Sequence, residues 1–430
     1  MTLGKILSTT CIVSFVSFAA FAAVAQSPPN ILLVIADDMG VDASPCHDDA
    51  SQLAKMPNLK ALCDDGIVFE SAYSAPVCSP TRATILTGKY GFRTNVTGVV
   101  SAQSSNALSS SETTLFDHLN DASIYQSAVI GKWHLNAQRN DLGHPKSLGV
   151  DYYVGPYSGG VSDYYSWRAV NQGRRERVAE YATTYLSDKA IDWIEIQTTP
   201  WFLWLAYNAP HTPFHAPPSA LHSFGNLPED TQSMRRNPDR YYFAALEALD
   251  TEMGRVLDAI DPDERDNTVV IFVGDNGTPG QLFRGSSLQG RKKGSLFEGG
   301  TNVPLVISGP LIDQNRRLDL VTTTDLFETI LGLAGVDAGT TDSFDLSPIL
   351  SEGKPSGRQY AFTEVSGRPN GGAKSGWAIR DHRYKLIQLD GLPAELYDLQ
   401  TDPSEQFDLL VSPAPVSRAI AKNLVQARPQ

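Results

Sequence analysis

Apolar positions run unbroken in four short stretches of this chain: Ile31 to Ala36, Phe202 to Tyr207, Val269 to Val273 and Leu305 to Ile307. Continuous runs of this length predict central strands of a sheet covered on both faces. A weaker strand is expected over Tyr125 to Ile130. Between these runs, helical patterns cover Pro57 to Asp65, Thr81 to Thr87, Tyr181 to Ile196, Tyr241 to Ile260 and Asp325 to Ala334. Strands alternating with helices predict an α/β fold, a large and mostly parallel mixed sheet sandwiched by helices. Beyond the polar stretch Ser351 to Gly357 the pattern shortens to Tyr360 to Thr363, Trp377 to Arg380 and Tyr384 to Gln388. These pieces are expected to form a small antiparallel sheet. The expected organisation is a leader over 1–25, a main α/β domain over 26–350 and a small carboxy-terminal α+β subdomain over 351–430.

The leader follows its own pattern. Lys5 is its single charge, Cys11 to Val24 is apolar, and Ala23-Val24-Ala25 places small residues before Gln26. This is the layout of a cleaved secretory signal, and the run falls short of the roughly 20 apolar residues that a transmembrane anchor needs. An exported chain is expected, periplasmic or extracellular after signal-peptide cleavage, with no stable membrane insertion. Lys and Arg number 35 against 48 Asp and Glu, for a net charge of −13. That acidity argues against a nucleic-acid partner held by phosphate attraction. The apolar share of 41% excludes a disordered chain and suits an ordinary globular core.

In α/β folds the chemistry sits just past the carboxyl ends of the strands. Asp37 and Asp38 end the first run, Asn208 and His211 follow the second, and Asp275-Asn276 follows the third. Gly131-Lys132-Trp133-His134 closes the weaker strand. Asp and Asn supply hard oxygen ligands for calcium or magnesium, but the same residues also cap helices and form turns. Two pairs in equivalent positions, one of them adjacent carboxylates that repel without a cation, move the reading towards a metal. Cys78 lies just before a proline-started helix, with Arg82 four residues on. A helix start favours negative charge, and Arg82 faces the same side. Taken bare, this fits a reactive thiolate, an anion pocket or a structural cysteine.

The segment Pro76-Val77-Cys78-Ser79-Pro80-Thr81-Arg82-Ala83-Thr84-Ile85-Leu86-Thr87-Gly88 resembles the C-x-P-x-R signature of the type I sulfatases. These are formylglycine-dependent, arylsulfatase-like enzymes of the alkaline phosphatase superfamily. Other blocks agree in order: Asn30 to Asp38, Ile130 to His134, Ala209-Pro210-His211-Thr212-Pro213, Gly274-Asp275-Asn276-Gly277, Lys293 to Gly300 and Glu395 to Leu399. The resemblance covers nearly all of the chain after the leader. It implies that a maturation enzyme converts Cys78 to formylglycine (3-oxoalanine), whose hydrate attacks sulfur. It also implies one calcium ion, or magnesium, held by Asp37, Asp38, Asp275, Asn276 and residue 78. In that scheme Lys132 and Lys293 neutralise the sulfuryl oxygens, Arg82 holds the hydrate and His211 protonates the leaving alcohol. His134 then takes the proton of the second hydroxyl, which expels sulfate. The implied activity is sulfuric ester hydrolysis, on a sulfated carbohydrate or a small aryl sulfate. The same signature also fits a phosphonate or phosphate ester hydrolase. An unmodified Cys78 would leave an inactive secreted anion-binding homologue.

Other features carry less. His215 and His222 follow His211 and are weaker candidates for substrate contact. Arg174-Arg175-Glu176-Arg177 reads as the solvated start of a helix rather than a contact to an anionic polysaccharide. Specificity is expected in the loops Pro156 to Trp167 and Gly367 to Gly376. With Cys78 converted and Cys11 lost with the leader, Cys46 and Cys63 are the remaining thiols; they fit a disulfide, which an exported chain permits, or two buried unpaired cysteines acting as small hydrophobes.

Overall fold

Strand β1 (Asn30–Asp37) is buried along its whole length, and its side chains alternate between two cores. Ile31, Leu33 and Ile35 pack on one side with Ala83, Ile85 and Leu86 of the helix Cys78–Thr87 and with Leu326 and Ile330 of the helix Leu326–Leu333. Leu32, Val34 and Ala36 pack on the other side against the helices Pro57–Asp65, Ala182–Ile194 and Pro238–Ala259. This two-sided burial is why the strand is a continuous apolar run rather than an alternating one. The computed structural model describes residues 27–47, 54–102, 106–138, 140–282, 291–310, 312–367 and 374–430. The expected signal peptide over 1–25 and residues 368–373 of the second expected specificity loop lie outside the described residues.

Nine further strands complete the sheet: β2 (Ile67–Tyr73), β3 (Gln126–Gly131), β4 (Tyr152–Gly155), β5 (Trp167–Asn171), β6 (Arg174–Val178), β7 (Trp201–Pro210), β8 (Thr268–Gly274), β9 (Leu305–Ser308) and β10 (Asn315–Thr322). Their order is β10-β2-β9-β8-β1-β7-β3-β4-β5-β6. The centre, β8-β1-β7-β3-β4, is parallel throughout. Strand β9 and the hairpin β5-β6 run antiparallel. The large, mostly parallel mixed sheet with helices on both faces is therefore present as expected. So is the small carboxy-terminal antiparallel sheet, built from β11 (Ala361–Val365), β12 (Gly376–Arg380), β13 (Tyr384–Leu389) and β14 (Glu395–Asp398). Val365, Ala378, Ile387 and Tyr397 of this sheet pack on Val77 and Leu296, so it backs the two loops that carry Cys78 and Lys293. No helix among the described residues is long and apolar enough to cross a membrane.

One expectation fails. Arg174 to Arg177 is not a helix start but most of strand β6, paired antiparallel with β5. Gln172 and Gly173, with φ of 46° and 75°, are the two-residue turn, and positive φ at both central positions is the geometry that matches the twist of a hairpin. Trp167 pairs with Val178 and both are buried. That contact anchors the ribbon and overrides the helical reading of a charged run.

Cys46 and Cys63 form a disulfide with Cα atoms 5.9 Å apart and a sequence separation of 17. It ties the loop after Asp38 to the helix Pro57–Asp65. Closing a loop of this length is worth about 3 kcal/mol in the chain-entropy account. The double variant Cys46→Ala/Cys63→Ala is expected to lose about that much in urea unfolding. The parent protein, alkylated while denatured, is expected to leave both cysteines unlabelled.

Candidate active site

Asp37 and Asp38 end β1, Asp275 and Asn276 follow β8, Lys132 follows β3 and His211 follows β7, so four neighbouring strand ends converge. Cys78 is the first residue of the helix Cys78–Thr87, three residues earlier than the apolar pattern suggests, with Val77 as N-cap. Pro80 lies in the first turn, where a missing N–H removes no helical bond. The helix is buried at every position, which brings its positive end and Arg82 into the interior.

The charges there are paired tightly. Arg82 donates from Nη2 and Nε to Asp275 Oδ2 (2.8 and 3.2 Å) and from Nη1 to the Lys132 carbonyl (2.8 Å). Lys132 Nζ donates to Asp37 Oδ2 at 2.5 Å. Lys293 donates to Asp38 Oδ1 and lies 3.9 Å from Cys78 Sγ. Asn276 Nδ2 donates to Asp38 Oδ1 at 2.8 Å, and the Asp38 amide donates to Asp275 Oδ1 at 3.1 Å. Asp38 itself sits at φ 74°, a conformation uncommon outside glycine that persists where its surroundings fix it. The Tyr242 hydroxyl holds its carbonyl at 2.9 Å.

These contacts set the protonation states. Burial alone would raise the Asp37 carboxyl, but Lys132, His211, Arg82 and Lys293 hold it well below the usual range. Burial would lower Lys293, yet Asp38 and Cys78 raise it above the normal lysine value. Burial pushes the Cys78 thiol up to about 12 against the pull of Lys132 and Lys293. An unmodified thiol here is protonated at neutral pH and a weak nucleophile, so the reactive-thiolate reading is not favoured. Burial, reinforced by Lys132 and Arg82, keeps His134 well below its normal pKa and hence neutral. Its Nε2 lies 3.0 Å from the Val100 carbonyl. With the proton placed there, Nδ1 is a buried lone pair with no partner among the described residues.

The donor set suits a divalent cation. Asp37 Oδ1 and Asn276 Oδ1 are buried acceptors with no hydrogen-bond partner among the described residues. Ligand atoms from Asp37, Asp38, Cys78 and His211 lie within 4.8 Å of one another. Hard oxygens in this arrangement fit calcium or magnesium better than a soft metal.

Every residue expected at the site is thus in one cluster or at its edge. His211 lies at the edge, partly exposed, with Nε2 3.9 Å from Asp38 Oδ2 and Nδ1 2.6 Å from the Thr212 carbonyl. His215 and His222 are not brought in. His215 is buried, stacked on Tyr164 (3.7 Å) and bonded to the Tyr181 hydroxyl at 3.0 Å, a packing role. His222 lies 3.2 Å from the Pro217 carbonyl and accepts from the Phe224 amide. Tyr164 and Gly159 escaped individual notice in the sequence. The Tyr164 hydroxyl donates toward the carbonyls of Asn208 and His211 (2.9 and 2.7 Å). A Cβ on Gly159 would sit 2.5 Å from His134 Nε2, so only glycine lets that loop close over the imidazole. Both lie in the loop Pro156 to Trp167, and nothing in their spacing marked them.

Residues 29–336 match the family model described as Sulfatase. The chain belongs to the sulfatase family, and so to the sulfuric ester hydrolases. Residues 291–430 match a second model, the carboxy-terminal part of N-sulphoglucosamine sulphohydrolase. Human N-acetylgalactosamine-6-sulfatase is 30% identical over 371 residues, 77% of this chain and 67% of the relative. Rat arylsulfatase G is 26% identical, covering 88% and 79%. Among solved structures, one in complex with its substrate D-glucosamine-2-N,6-O-disulfate superposes with TM-score 0.77 at 21% identity, covering 94% of this chain and 97% of that one. Another, in complex with k-i-k-neocarrahexaose, gives TM-score 0.76 at 24% identity over 93% and 92%. At these identities the structural likeness speaks for the fold.

In this sulfatase the pair Arg82–Asp275 has no solvent-exposed side-chain surface. Removing one partner of such a pair strands a buried charge. Arg82→Ala is expected to cost about 3–5 kcal/mol in urea unfolding. A loss below about 1 kcal/mol, the value of a surface pair, would contradict the buried pairing.

Proposed function

We propose that this chain is an exported sulfatase that hydrolyses a sulfate ester of a sulfated carbohydrate, with a formylglycine at residue 78 and one calcium ion, or magnesium in its place. The observation that carries the reading is the position of Cys78. It opens a buried helix, 3.9 Å from Lys293, in the cluster where Asp37 Oδ1 and Asn276 Oδ1 lack a hydrogen-bond partner among the described residues. The carbohydrate assignment is supported by relatives and structural neighbours whose names or bound ligands are carbohydrates. Conversion of Cys78 would supply an aldehyde hydrate with two hydroxyls on one carbon, one to attack sulfur and one whose deprotonation lets sulfate leave. The cation, held by Asp37, Asp38, Asp275, Asn276 and residue 78, supplies Lewis-acid charge stabilisation.

The remaining work falls to side chains already in place. Lys132 and Lys293 hold fixed positive charge at the centre, available to a sulfuryl group without reorganisation. Arg82 fixes the helix start against Asp275 and Lys132, and through them the direction in which residue 78 faces. His211 is the acid for the leaving alcohol. Its Nδ1 is held by the Thr212 carbonyl, which leaves Nε2 towards the site. His134, neutral with a free Nδ1, is the base that takes a proton from residue 78 and lets sulfate depart.

Three measurements test this. Release of inorganic sulfate from a panel of sulfated oligosaccharides, with a chromogenic aryl sulfate beside them, is expected to show turnover; none from any sulfate ester would refute the function. Cys78→Ser is expected to stall after one transfer, because a single hydroxyl cannot regenerate as a geminal diol does; steady multiple turnover would overturn the formylglycine scheme. Exhaustive chelation is expected to abolish activity, with calcium or magnesium restoring it. Full activity after chelation, or a requirement for zinc alone, would contradict the metal assignment.

A further inference from the structure

A cleft of about 780 Å³ opens beside the cluster, a volume in the range of ligand sites. Cys78 is not part of its wall; His211 and Thr212 are where it meets the chemistry. The opposite wall is the β5-β6 hairpin, which presents Arg168, Arg175 and Arg177. Register puts Arg168 directly opposite Arg177, and Arg175 opposite Val170, so all three arginines share one face of the ribbon. Directly opposed like charges destabilise an antiparallel pair. The acid within the run does not relieve them, because Glu176 points to the other face and accepts from the Tyr185 hydroxyl. Arg175 reaches Asn140 Oδ1 at 3.5 Å. Among the described residues, no ion pair joins Arg168 or Arg177 to a carboxylate. In a chain of net charge −13, three cations on one cleft wall form a local reversal of sign that draws anions.

We propose that this wall is a subsite for a second anionic group, a sulfate or carboxylate, on the glycan that carries the scissile sulfate. The inference rests on the sulfatase reading above and deepens it. His211 lies on the side from which the alcohol departs, so the cleft it opens into receives the sugar rather than the sulfuryl group. Arg168 and Arg177 then form a fork across the two strands, suited to an oxyanion by their planar donor sets. Ser158 and Ser162 also line the cleft and offer further polar contact to a sugar ring. The preferred substrate is accordingly a polyanionic saccharide, and a neutral monosulfated sugar or a simple aryl sulfate is a poorer one.

The test compares three disaccharides that share the scissile sulfate: one otherwise neutral, one with a second sulfate and one with a uronic acid. The enzyme is expected to favour the two dianionic substrates in kcat/KM. Arg168→Ala and Arg177→Ala are each expected to narrow that preference about ten-fold, chiefly through KM, as befits a charge-assisted contact. Which dianionic substrate suffers more identifies the group. Arg174→Ala, on the other face of β6, is expected to leave the preference unchanged. Equal use of all three disaccharides by the parent enzyme, or equal losses on all three in the arginine variants, would overturn the subsite. If the parent cleaves no sulfate ester at all, the sulfatase reading fails instead, and calorimetry on Cys78→Ala decides the subsite separately. Binding of the disulfated disaccharide lost in the added double variant Arg168→Ala/Arg177→Ala supports it; binding retained overturns it.

Discussion

The buried ion pairs at the strand ends are the constraint around which the molecule is arranged. Asp37 and Asp275 have no exposed side-chain surface and would not stay ionised there alone. Arg82 reaches Asp275, Lys132 reaches Asp37 and Lys293 pairs with the neighbouring Asp38, from three separate parts of the chain: the helix at 78–87, the turn after β3 and the loop after 290. Each pair therefore locks two segments together. Because pairing of this kind costs desolvation and gives little net stability, its presence argues for function. It prepositions cations and carboxylates around residue 78 before any substrate arrives.

Around that centre the fold separates tasks. The parallel strands β8-β1-β7-β3 deliver the reactive groups, and the small carboxy-terminal sheet braces the loops of Cys78 and Lys293 from behind. The antiparallel hairpin β5-β6 lies at the sheet's edge and forms the cleft wall beyond His211. The reactive groups thus sit at the ends of fully buried strands, whereas the proposed subsite lies on a hairpin whose second strand is largely exposed. The exposed arginines of the hairpin can change without disturbing the core, whereas Arg82 or Asp37 cannot be altered without leaving a partner charge stranded.

What could be read in the sequence follows from how each element is stabilised. β1, β7 and β8 were legible because strands buried on both faces must be unbroken apolar runs, and the polar residues closing them marked the site. The helix at Cys78 starts three residues before the apolar pattern indicates, because its first turns are held by contacts of Cys78 and Arg82 rather than by apolar spacing. Strands β2, β4, β5, β6, β10 and β14 have no counterpart among the expected strands, since each is short, charged or interrupted by polar residues, so that pairing rather than an apolar run defines it. Arg174 to Arg177 is the plain case. Its turn, Gln172-Gly173, carries the hairpin signal, but the charges around it looked like a helix start. His215, Tyr164 and Gly159 could not be assigned from sequence, because their roles are contacts between segments.

The central claim, that residue 78 works as formylglycine, is tested most directly by the mass of the peptide containing it. The protein should be produced with residues 1–25 in place, in a host that matures such cysteines. The account predicts that this peptide has lost the thiol for an aldehyde and is captured by hydroxylamine as an oxime. An unmodified Cys78 in a preparation that steadily releases sulfate would contradict it.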